Sequence, residues 1–265
     1  MIALEFDRVS RDFQAPDGKP YRALEDVSLA IPTGAFVAIV GPSGCGKTTL
    51  LNLAAGLLPA TSGCVRVSGK EFAGLNTHAT YMFQQDALLP WKNVRDNVAL
   101  GPVLGGTPAR AARALANDWL ARVGLTGFES HYPAQLSGGM RKRVAMAQNW
   151  ILGRSQMLMD EPFSALDVHT RQQMESELLA MWDQARRTVV FVTHDLHEAI
   201  ALADEVVVLS AGPASHIVAR HPVDLPRPRS LLDVQLLPEF SDLYRHLWSI
   251  LREEVLRSQR VARHA

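Results

Sequence analysis

Short runs of apolar and β-branched residues recur along the chain and alternate with longer amphipathic stretches. Three runs, 35–40, 188–192 and 205–209, are almost continuously apolar, which is typical of strands buried on both faces of a parallel sheet. The alternation predicts an α/β fold with a mainly parallel sheet core. The predicted strands are 4–9, 24–31, 35–40, 64–68, 157–160, 188–192 and 205–209. The predicted helices are 47–57, 110–123, 138–152, 169–185 and 195–203.

Residues 88–150 depart from this rhythm. They are poor in β-branched clusters and have a mainly helical pattern, with a turn marked by Gly105, Gly106 and Pro108. The pattern predicts a helical subdomain of about 88–150, inserted into a sheet domain that covers 1–230.

The C-terminal part has two patterns. Its prolines predict a loop or linker over 211–230, and they are Pro213, Pro222, Pro226 and Pro228. A short helical extension is predicted over 231–265. Apolar residues recur there at helical spacing, and they are Phe240, Leu243, Leu247, Ile250 and Leu251. Such a stripe indicates either packing on the core or a face that binds a partner.

Composition excludes several classes of protein. The 265 residues are 47% hydrophobic and 20% charged, as in ordinary globular proteins, and 27 basic residues balance 27 acidic ones. No general attraction to nucleic acid is therefore expected. The start, MIALEFDRVS, lacks the pattern of a signal peptide, and no apolar run approaches the roughly 20 residues of a membrane span. Cys45 and Cys64 are interpreted as reduced thiols of a cytosolic protein.

A glycine-rich segment, GPSGCGKTT, lies between a predicted buried strand and a predicted helix. Glycines let the backbone turn so that successive amides point at phosphate oxygens, and Lys47 adds a full charge. Thr48 has the position of a hydroxyl that binds Mg²⁺. Cys45 is either a bystander or a modifiable thiol. The predicted nucleotide-binding residues here are Gly41, Pro42, Ser43, Gly44, Cys45, Gly46, Lys47, Thr48 and Thr49.

Acidic and basic groups follow two other predicted strands. MLMDE ends in Asp160 and Glu161, placed to hold the Mg²⁺ shell and to orient or deprotonate the attacking water. His194 follows the strand at 188–192 and is placed to bond a γ-phosphate or that water. A solvated acidic turn and a helix-capping THD turn are the structural alternatives.

The segment LSGGM has the pattern of a second anion site. Ser137 is an N-cap residue, and Gly138 and Gly139 expose amides at the positive end of the helix that follows. One phosphate loop already satisfies one nucleotide. The second site is therefore predicted to cover the γ-phosphate held by another copy of the chain.

Together these motifs resemble the ATP-binding-cassette (ABC) transporter ATPases over roughly 1–210. The resemblance implies a P-loop NTPase cassette with an added antiparallel β part, ATP and Mg²⁺ as ligands, and catalysis by Glu161, His194 and Lys47. YMFQQDALLPW resembles the family loop whose glutamine, here Gln84, senses Mg²⁺ and touches the membrane subunit. The implied metal-binding residues are Thr48, Gln84 and Asp160. The implied contacts to the partner's ATP are Leu136, Ser137, Gly138, Gly139 and Met140.

Other positions follow from the same resemblance. SALD is similar to the loop through which two copies contact each other, by Ser164 and Asp167. The aromatic residue that stacks on adenine is assigned to Phe13, with Tyr21 as the second choice. Two departures are present: Lys142 stands where relatives commonly carry Gln, and Gln148-Asn149-Trp150 replaces a more usual Arg-Ala-Leu. Neither departure is expected to touch a phosphate ligand.

Within the family, the length, FQQDALLPW, MDEPFSALD and the PRPR-containing tail resemble the nitrate/sulfonate/taurine importer branch. The implied partners are a second copy, two membrane-spanning permease subunits and, indirectly, a solute-binding protein. The implied location is the cytoplasmic face of the inner membrane, where the chain is peripheral. The alternatives are an ATPase of an exporter or lipoprotein-release system, a soluble ABC ATPase without a transport role, and an assembly module with negligible turnover.

Overall fold

The computed structural model describes the backbone of residues 1–14 and 18–264 and the side chains as far as 260. The strands are β1 (Ile2–Gln14), β2 (Pro20–Pro32), β3 (Phe36–Val40), β4 (Ser62–Val67), β5 (Lys70–Glu71), β6 (Ala79–Met82), β7 (Gln156–Asp160), β8 (Thr188–Val192), β9 (Glu205–Leu209) and β10 (Ile217–Pro222). The α-helices are α1 (Lys47–Ala55), α2 (Val94–Leu104), α3 (Ala109–Arg122), α4 (Gly138–Trp150), α5 (Val168–Ala185), α6 (Leu196–Leu202), α7 (Leu231–Val234) and α8 (Pro238–His264).

The central sheet has the strand order β10-β9-β3-β8-β7-β6. Strands β3, β6, β7, β8 and β9 are parallel, and β10 runs antiparallel to β9 at the edge. Every residue of β3, β7 and β8 is buried, which explains why β3 and β8 are almost continuously apolar. The predicted parallel core is confirmed.

A second, antiparallel sheet has the order β2-β1-β4-β5. Its inner face shares one apolar core with α1 and with one face of the central sheet, where Phe6 and Leu29 pack in the same cluster as Leu50 and Ile39. The antiparallel β part implied by the family resemblance is therefore present, and the α/β fold class is confirmed. Helix α1 is held between the two sheets.

The other face of the central sheet is covered by α5, α6 and α8. Trp182 of α5 packs edge-on against Phe36 of β3, with ring centroids 5.6 Å apart. Ile200 of α6 and Leu247 of α8 are fully buried in the same cluster. Because these apolar side chains are buried, the helices hold the strand ends and the loops that follow them in fixed positions.

Helices α2, α3 and α4 lie within 88–150 and have a separate apolar cluster that includes Val98, Leu120 and Val144. The pattern did not predict α2 as a separate helix. The reason is its composition, since Gly101 and Pro102 lie inside it. Asn93 caps its start by accepting a hydrogen bond from Asp96 N.

The prediction of a loop or linker over 211–230 is wrong for part of the segment. Residues 217–222 form β10, which pairs with β9. An edge strand tolerates Pro222 at its end, because the missing amide donor leaves no gap in the sheet.

Arg229 explains why the segment after β10 is held in place. Its side chain is buried and donates hydrogen bonds to the carbonyls of Ala203 (2.6 Å), Ala201 (3.2 Å) and Val223 (3.1 Å). Two of these carbonyls lie at the C-terminal end of α6, where a cation satisfies free acceptors and the helix dipole. Burial lowers the pKa of Arg229 to about 10. A flexible linker has no such anchor.

The apolar stripe of the C-terminal helix packs on the core. Phe240, Leu247 and Leu251 are buried against the α6 side of the central sheet, and Leu243 and Ile250 are half-buried there. This settles the choice between core packing and a partner face for these residues. Within the described residues, no helix combines the length and the apolar character needed to cross a membrane.

Candidate functional site

The glycine-rich loop connects β3 to α1 at the carboxyl edge of the central sheet. Gly46 has φ +96° immediately before the helix, a conformation that L side chains rarely adopt. A Cβ at Gly46 would also lie 2.9 Å from Leu24 Cδ2, so β2 leaves no room for a side chain. Glycine is therefore required for the turn that directs the loop into the N-terminus of α1.

Lys47 holds a positive charge against the inside of this loop. Its ammonium group donates to Gly41 O at 2.9 Å and Pro42 O at 3.1 Å, and the residue is only 6% exposed. A buried cation next to free amides at a helix N-terminus forms a strong anion site.

Asp160 ends β7 beside the start of α1. Thr48 Oγ1 donates to Asp160 Oδ1 at 3.1 Å. Burial raises the pKa of Asp160, while the bond from Thr48 opposes that change. A hydroxyl and a carboxylate are hard oxygen donors of the kind that Mg²⁺ prefers, so this pair fits the metal.

Tyr81 was not singled out by the sequence analysis, although it lies three residues before Gln84. Its hydroxyl is 3.0 Å from Asn52 Oδ1 and 3.5 Å from Asp160 Oδ2. Burial, followed by the charge of Asp160, raises the pKa of Tyr81. Tyr81 thus remains a neutral hydroxyl that fixes the orientation of the Asp160 carboxylate.

The Glu161 side chain contacts two other predicted site residues, Gln84 and His194, which are far from it in the sequence. Its Oε2 accepts from Gln84 Nε2 at 3.4 Å and lies 3.1 Å from His194 Nδ1. Ser164 Oγ donates to the Glu161 carbonyl at 3.0 Å. The backbone of Glu161 has φ +43°, and such strain in a non-glycine residue is often found at functional sites.

Cys45 is inside the glycine-rich loop but is 1% exposed and packs in the apolar core. Burial raises the pKa of its thiol. A protonated, enclosed thiol is a poor nucleophile, which favours the bystander interpretation over a modifiable thiol.

The LSGGM segment forms the start of α4. Ser137 caps the helix by accepting from Met140 N at 3.3 Å, and Ser137 and Gly138 are exposed, whereas Leu136 is buried. A Cβ at Gly139 would lie 2.6 Å from Thr170 Cγ2 at the start of α5. Glycine thus allows the two helix starts to approach each other closely. Among the described residues, no hydrogen bond joins LSGGM to the loop at 41–49.

Lys142 makes buried contacts that its position in the sequence did not predict. It is 2% exposed, donates to Gln84 O at 2.6 Å, and lies 3.0 Å from the carboxylate of Asp86. The departure from Gln at this position therefore connects α4 directly to the loop that carries Gln84. Sequence spacing alone gives no signal for a contact between residues 58 positions apart.

Phe13 and Tyr21 are direct cross-strand partners in the β1–β2 ribbon. Residues paired in this way have side chains on the same face of the sheet. The Arg11 guanidinium lies 4.7 Å from the centroid of the Phe13 ring, and Tyr21 is 40% exposed. Both candidates for stacking on adenine are thus on one surface, and the assignment to Phe13 remains a prediction.

Asp167 begins α5, where its side chain accepts from Thr170 N at 3.0 Å. The backbone amide of Thr170 lowers the pKa of this carboxyl. Its predicted contact with another copy therefore involves a carboxylate that stays charged.

A buried acidic pair lies behind the segment that carries His194. Glu175 of α5 and Glu198 of α6 are 5% and 6% exposed, and Thr193 Oγ1 donates to Glu198 Oε2 at 2.6 Å. Burial, reinforced by the charge of Glu198, raises the pKa of Glu175 to about 8. Arg171 opposes the shift, and Asp195 adds to it. Glu175 is therefore protonated at neutral pH.

Because of the buried pair Glu175 and Glu198, the free energy of unfolding is expected to depend on pH. Between the ordinary pKa of 4.5 and about 8, the native chain retains a proton on Glu175 that the unfolded chain releases, so stability falls as pH rises. Glu175→Gln removes this dependence, because an amide needs no proton. The variant is expected to equal wild type near pH 5 and to be more stable by about 1–3 kcal/mol at pH 8. Urea unfolding at both pH values measures this.

Glu239→Gln, at an exposed position of α8, is the control and should not show a gain that depends on pH. An equal effect of Glu175→Gln at both pH values would show that the carboxyl is ionised in the native chain.

Comparison with known proteins identifies the family of the chain. The family described as ABC transporter matches residues 24–164, which include the phosphate loop, Gln84, LSGGM and Glu161. The chain belongs to the ABC transporter family. It is an ATPase that binds ATP and uses Mg²⁺.

Two relatives agree with the importer branch that the sequence resembles. The taurine import ATP-binding protein TauB of Escherichia coli is 44% identical over 210 residues, which cover 79% of this chain and 81% of TauB. The nitrate import ATP-binding protein NrtC of Synechococcus elongatus is 40% identical over 255 residues, which cover 96% of this chain but 39% of NrtC.

A solved structure has the same fold. The dimeric post-hydrolysis state of the ATP-binding cassette MJ0796, bound to ADP and Pi, has a TM-score of 0.73 and 28% identity. The similarity covers 83% of this chain and 98% of that structure.

Proposed function

We propose that this chain is the ATPase subunit of an ABC importer for a small anionic or organic solute of the nitrate, sulfonate or taurine type. The TauB and NrtC relatives support the solute class. Two copies of the chain associate with two permease subunits at the cytoplasmic face of the inner membrane. A solute-binding protein delivers the solute to the permease.

The observation that carries the proposal is the exposed start of α4. Ser137 and Gly138 present a second anion-binding helix N-terminus in a chain that already has a phosphate loop. The hydrogen bonds of the LSGGM segment are local, so this terminus is left for a second copy to use. The dimeric relative that holds ADP and Pi supports the same arrangement.

In this mechanism the loop at 41–49 and Lys47 bind the phosphates of ATP, and Phe13 or Tyr21 stacks on adenine. Thr48, Asp160 and Gln84 would hold Mg²⁺, and the bound ion would neutralise charge on the phosphates. Ser137 and the glycines of the partner cover the γ-phosphate, while Ser164 and Asp167 adjoin the other copy. Binding energy that exists only in the closed dimer favours closure.

Glu161 and His194 place the attacking water. The Glu161 carboxylate is shared between Gln84 and His194, so it is oriented before a water arrives. The contact with Glu161 uses His194 Nδ1 and leaves Nε2 for a γ-phosphate oxygen. Such prior orientation of an acceptor is the main contribution of a protein to phosphoryl transfer. Hydrolysis then removes the group that joins the two copies, and the dimer opens.

A mixing experiment tests the shared site. Lys47→Ala removes the phosphate-loop charge, and Ser137→Arg blocks the start of α4. Each variant alone should be inactive. A mixture forms dimers in which the loop of one variant faces the intact α4 of the other, so about a quarter of wild-type ATPase activity should return. The steady-state release of phosphate measures this.

The chain that carries both substitutions is the matched control. When it is mixed with wild-type chain, no site in the mixed dimer is complete, and activity should fall rather than rise. If the two single variants remain inactive after mixing, each ATP is not shared between copies.

A further inference from the structure

The loop between β9 and β10 lies against the phosphate loop. At Gly212, a Cβ would be 3.5 Å from Gly44 O and 3.9 Å from Cys45 Cα. It would also be 3.4 Å from the hydroxyl of Tyr21. The backbone around Gly212 therefore forms a wall beside residues 44–45, separated from them by the space that one Cβ would fill.

On one side, this wall is held by β2. Ala214 N donates to Arg22 O at 2.7 Å, and Ser215 N donates to Ala23 O at 3.1 Å. Glu25 N donates back to Ser215 O at 2.9 Å. These bonds hold the second half of the loop to the ribbon that carries Tyr21.

On the other side, the second residue of the loop is held by the C-terminal helix. Ala211 N donates to Glu254 Oε2 at 2.8 Å, and Glu254 Oε1 accepts from Arg257 at 3.0 Å. Glu254 is 4% exposed, and Leu251, one turn earlier in α8, is buried in the core. A buried bond from an amide to a carboxylate is stronger than one between neutral groups. Helix α8 is thus attached to the loop that contacts the phosphate loop.

We infer that Glu254 is a positioning residue for nucleotide binding: it fixes Ala211, and through Gly212 it holds the phosphate loop in its phosphate-binding conformation. The inference rests on the proposed function and assigns a role to the C-terminal extension. A loop ordered in advance does not lose conformational freedom when ATP binds. The hydrogen bond from Ala211 N to Glu254 is called the brace below. Its loss is expected to weaken nucleotide binding without changing Glu161 or His194.

The position of the contact determines which nucleotides respond. Gly212 lies against Gly44 and Cys45, which are in the part of the loop that ADP and ATP both use. The brace therefore contributes equally to ATP and ADP affinity. The hydrolysis rate at saturating ATP does not depend on it.

Glu254→Ala in the full chain tests the inference. The dissociation constants of fluorescent ATP and ADP analogues are both expected to rise roughly 5- to 20-fold, which is less than the full contribution of a hydrogen bond to a charged group because the bond acts on the phosphate loop indirectly. The maximal hydrolysis rate should stay within about twofold, because no group at the reacting phosphate is changed.

Glu254→Gln keeps an acceptor for Ala211 N and should restore most of the affinity. Glu253→Ala, at the exposed neighbouring position of α8, is the matched control and should bind like wild type. If the Ala variant fails to fold, Glu254→Met, which fills a similar volume without an acceptor, decides: weakened binding of both nucleotides supports the brace, and normal binding overturns it.

Two further outcomes would overturn the inference. One is unchanged nucleotide affinity in folded Glu254→Ala, which would give Glu254 only a structural role in α8. The other is a loss confined to ATP, which would place the effect at the γ-phosphate. Neither result affects the proposed function, whose nucleotide site is tested separately by ATP binding to Lys47→Ala and by the activity of the mixed dimers.

Discussion

Glu161→Gln is expected to bind ATP with wild-type affinity and to hydrolyse it about 100- to 1000-fold more slowly, the usual contribution of a positioned general base. The amide has the same shape and still reaches Gln84 and His194, but it no longer accepts a proton from water. Steady-state phosphate release measures the loss. The variant should accumulate as an ATP-bound dimer, which size-exclusion chromatography with ATP and Mg²⁺ detects.

Glu71→Gln is the control for this substitution, because it makes the same chemical change at an exposed position of β5. Its turnover should equal that of wild type. Normal turnover by Glu161→Gln would remove Glu161 from the chemical step and direct attention to His194.

Lys47→Ala is expected to weaken ATP binding by about 100-fold or more, since it removes a charge-assisted contact to phosphate from a buried site. The Lys47 ammonium is already held by the carbonyls of Gly41 and Pro42, so ATP meets a charge that is fixed in place. Equilibrium binding of a fluorescent ATP analogue measures the change.

Lys70→Ala removes the same charge from an exposed position of β5 and should leave ATP affinity unchanged. Circular dichroism establishes that the Lys47 variant is folded before its affinity is compared. Unchanged affinity in folded Lys47→Ala would contradict the assignment of the phosphate loop.

The parts of the fold that were predicted well are those with a strong local pattern. Continuous apolar runs identified β3, β8 and β9, because strands buried on both faces have no polar positions. The pattern missed α2, where Gly101 and Pro102 lower helix propensity, and β10, which is a half-exposed edge strand flanked by prolines. In both elements, tertiary packing outweighs local preference.

The residues of the candidate site divide in a similar way. The glycine-rich loop, Asp160 and Glu161 could be predicted because each motif depends on close spacing around the end of one strand. Tyr81, Lys142 and Glu254 were not recognised, because each acts on a residue far away in the sequence.

The sequence by itself determined the α/β class and the family, and it predicted the groups that bind a triphosphate, since local backbone geometry and side-chain chemistry are encoded in adjacent residues. Only the tertiary structure decided which groups meet. It joins Gln84 and His194 at the carboxylate of Glu161, ties α4 to the Gln84 loop through Lys142, and attaches α8 to the wall of the phosphate loop. The physical reason is that sheet order and core packing, which involve the whole chain, set the distances between loops.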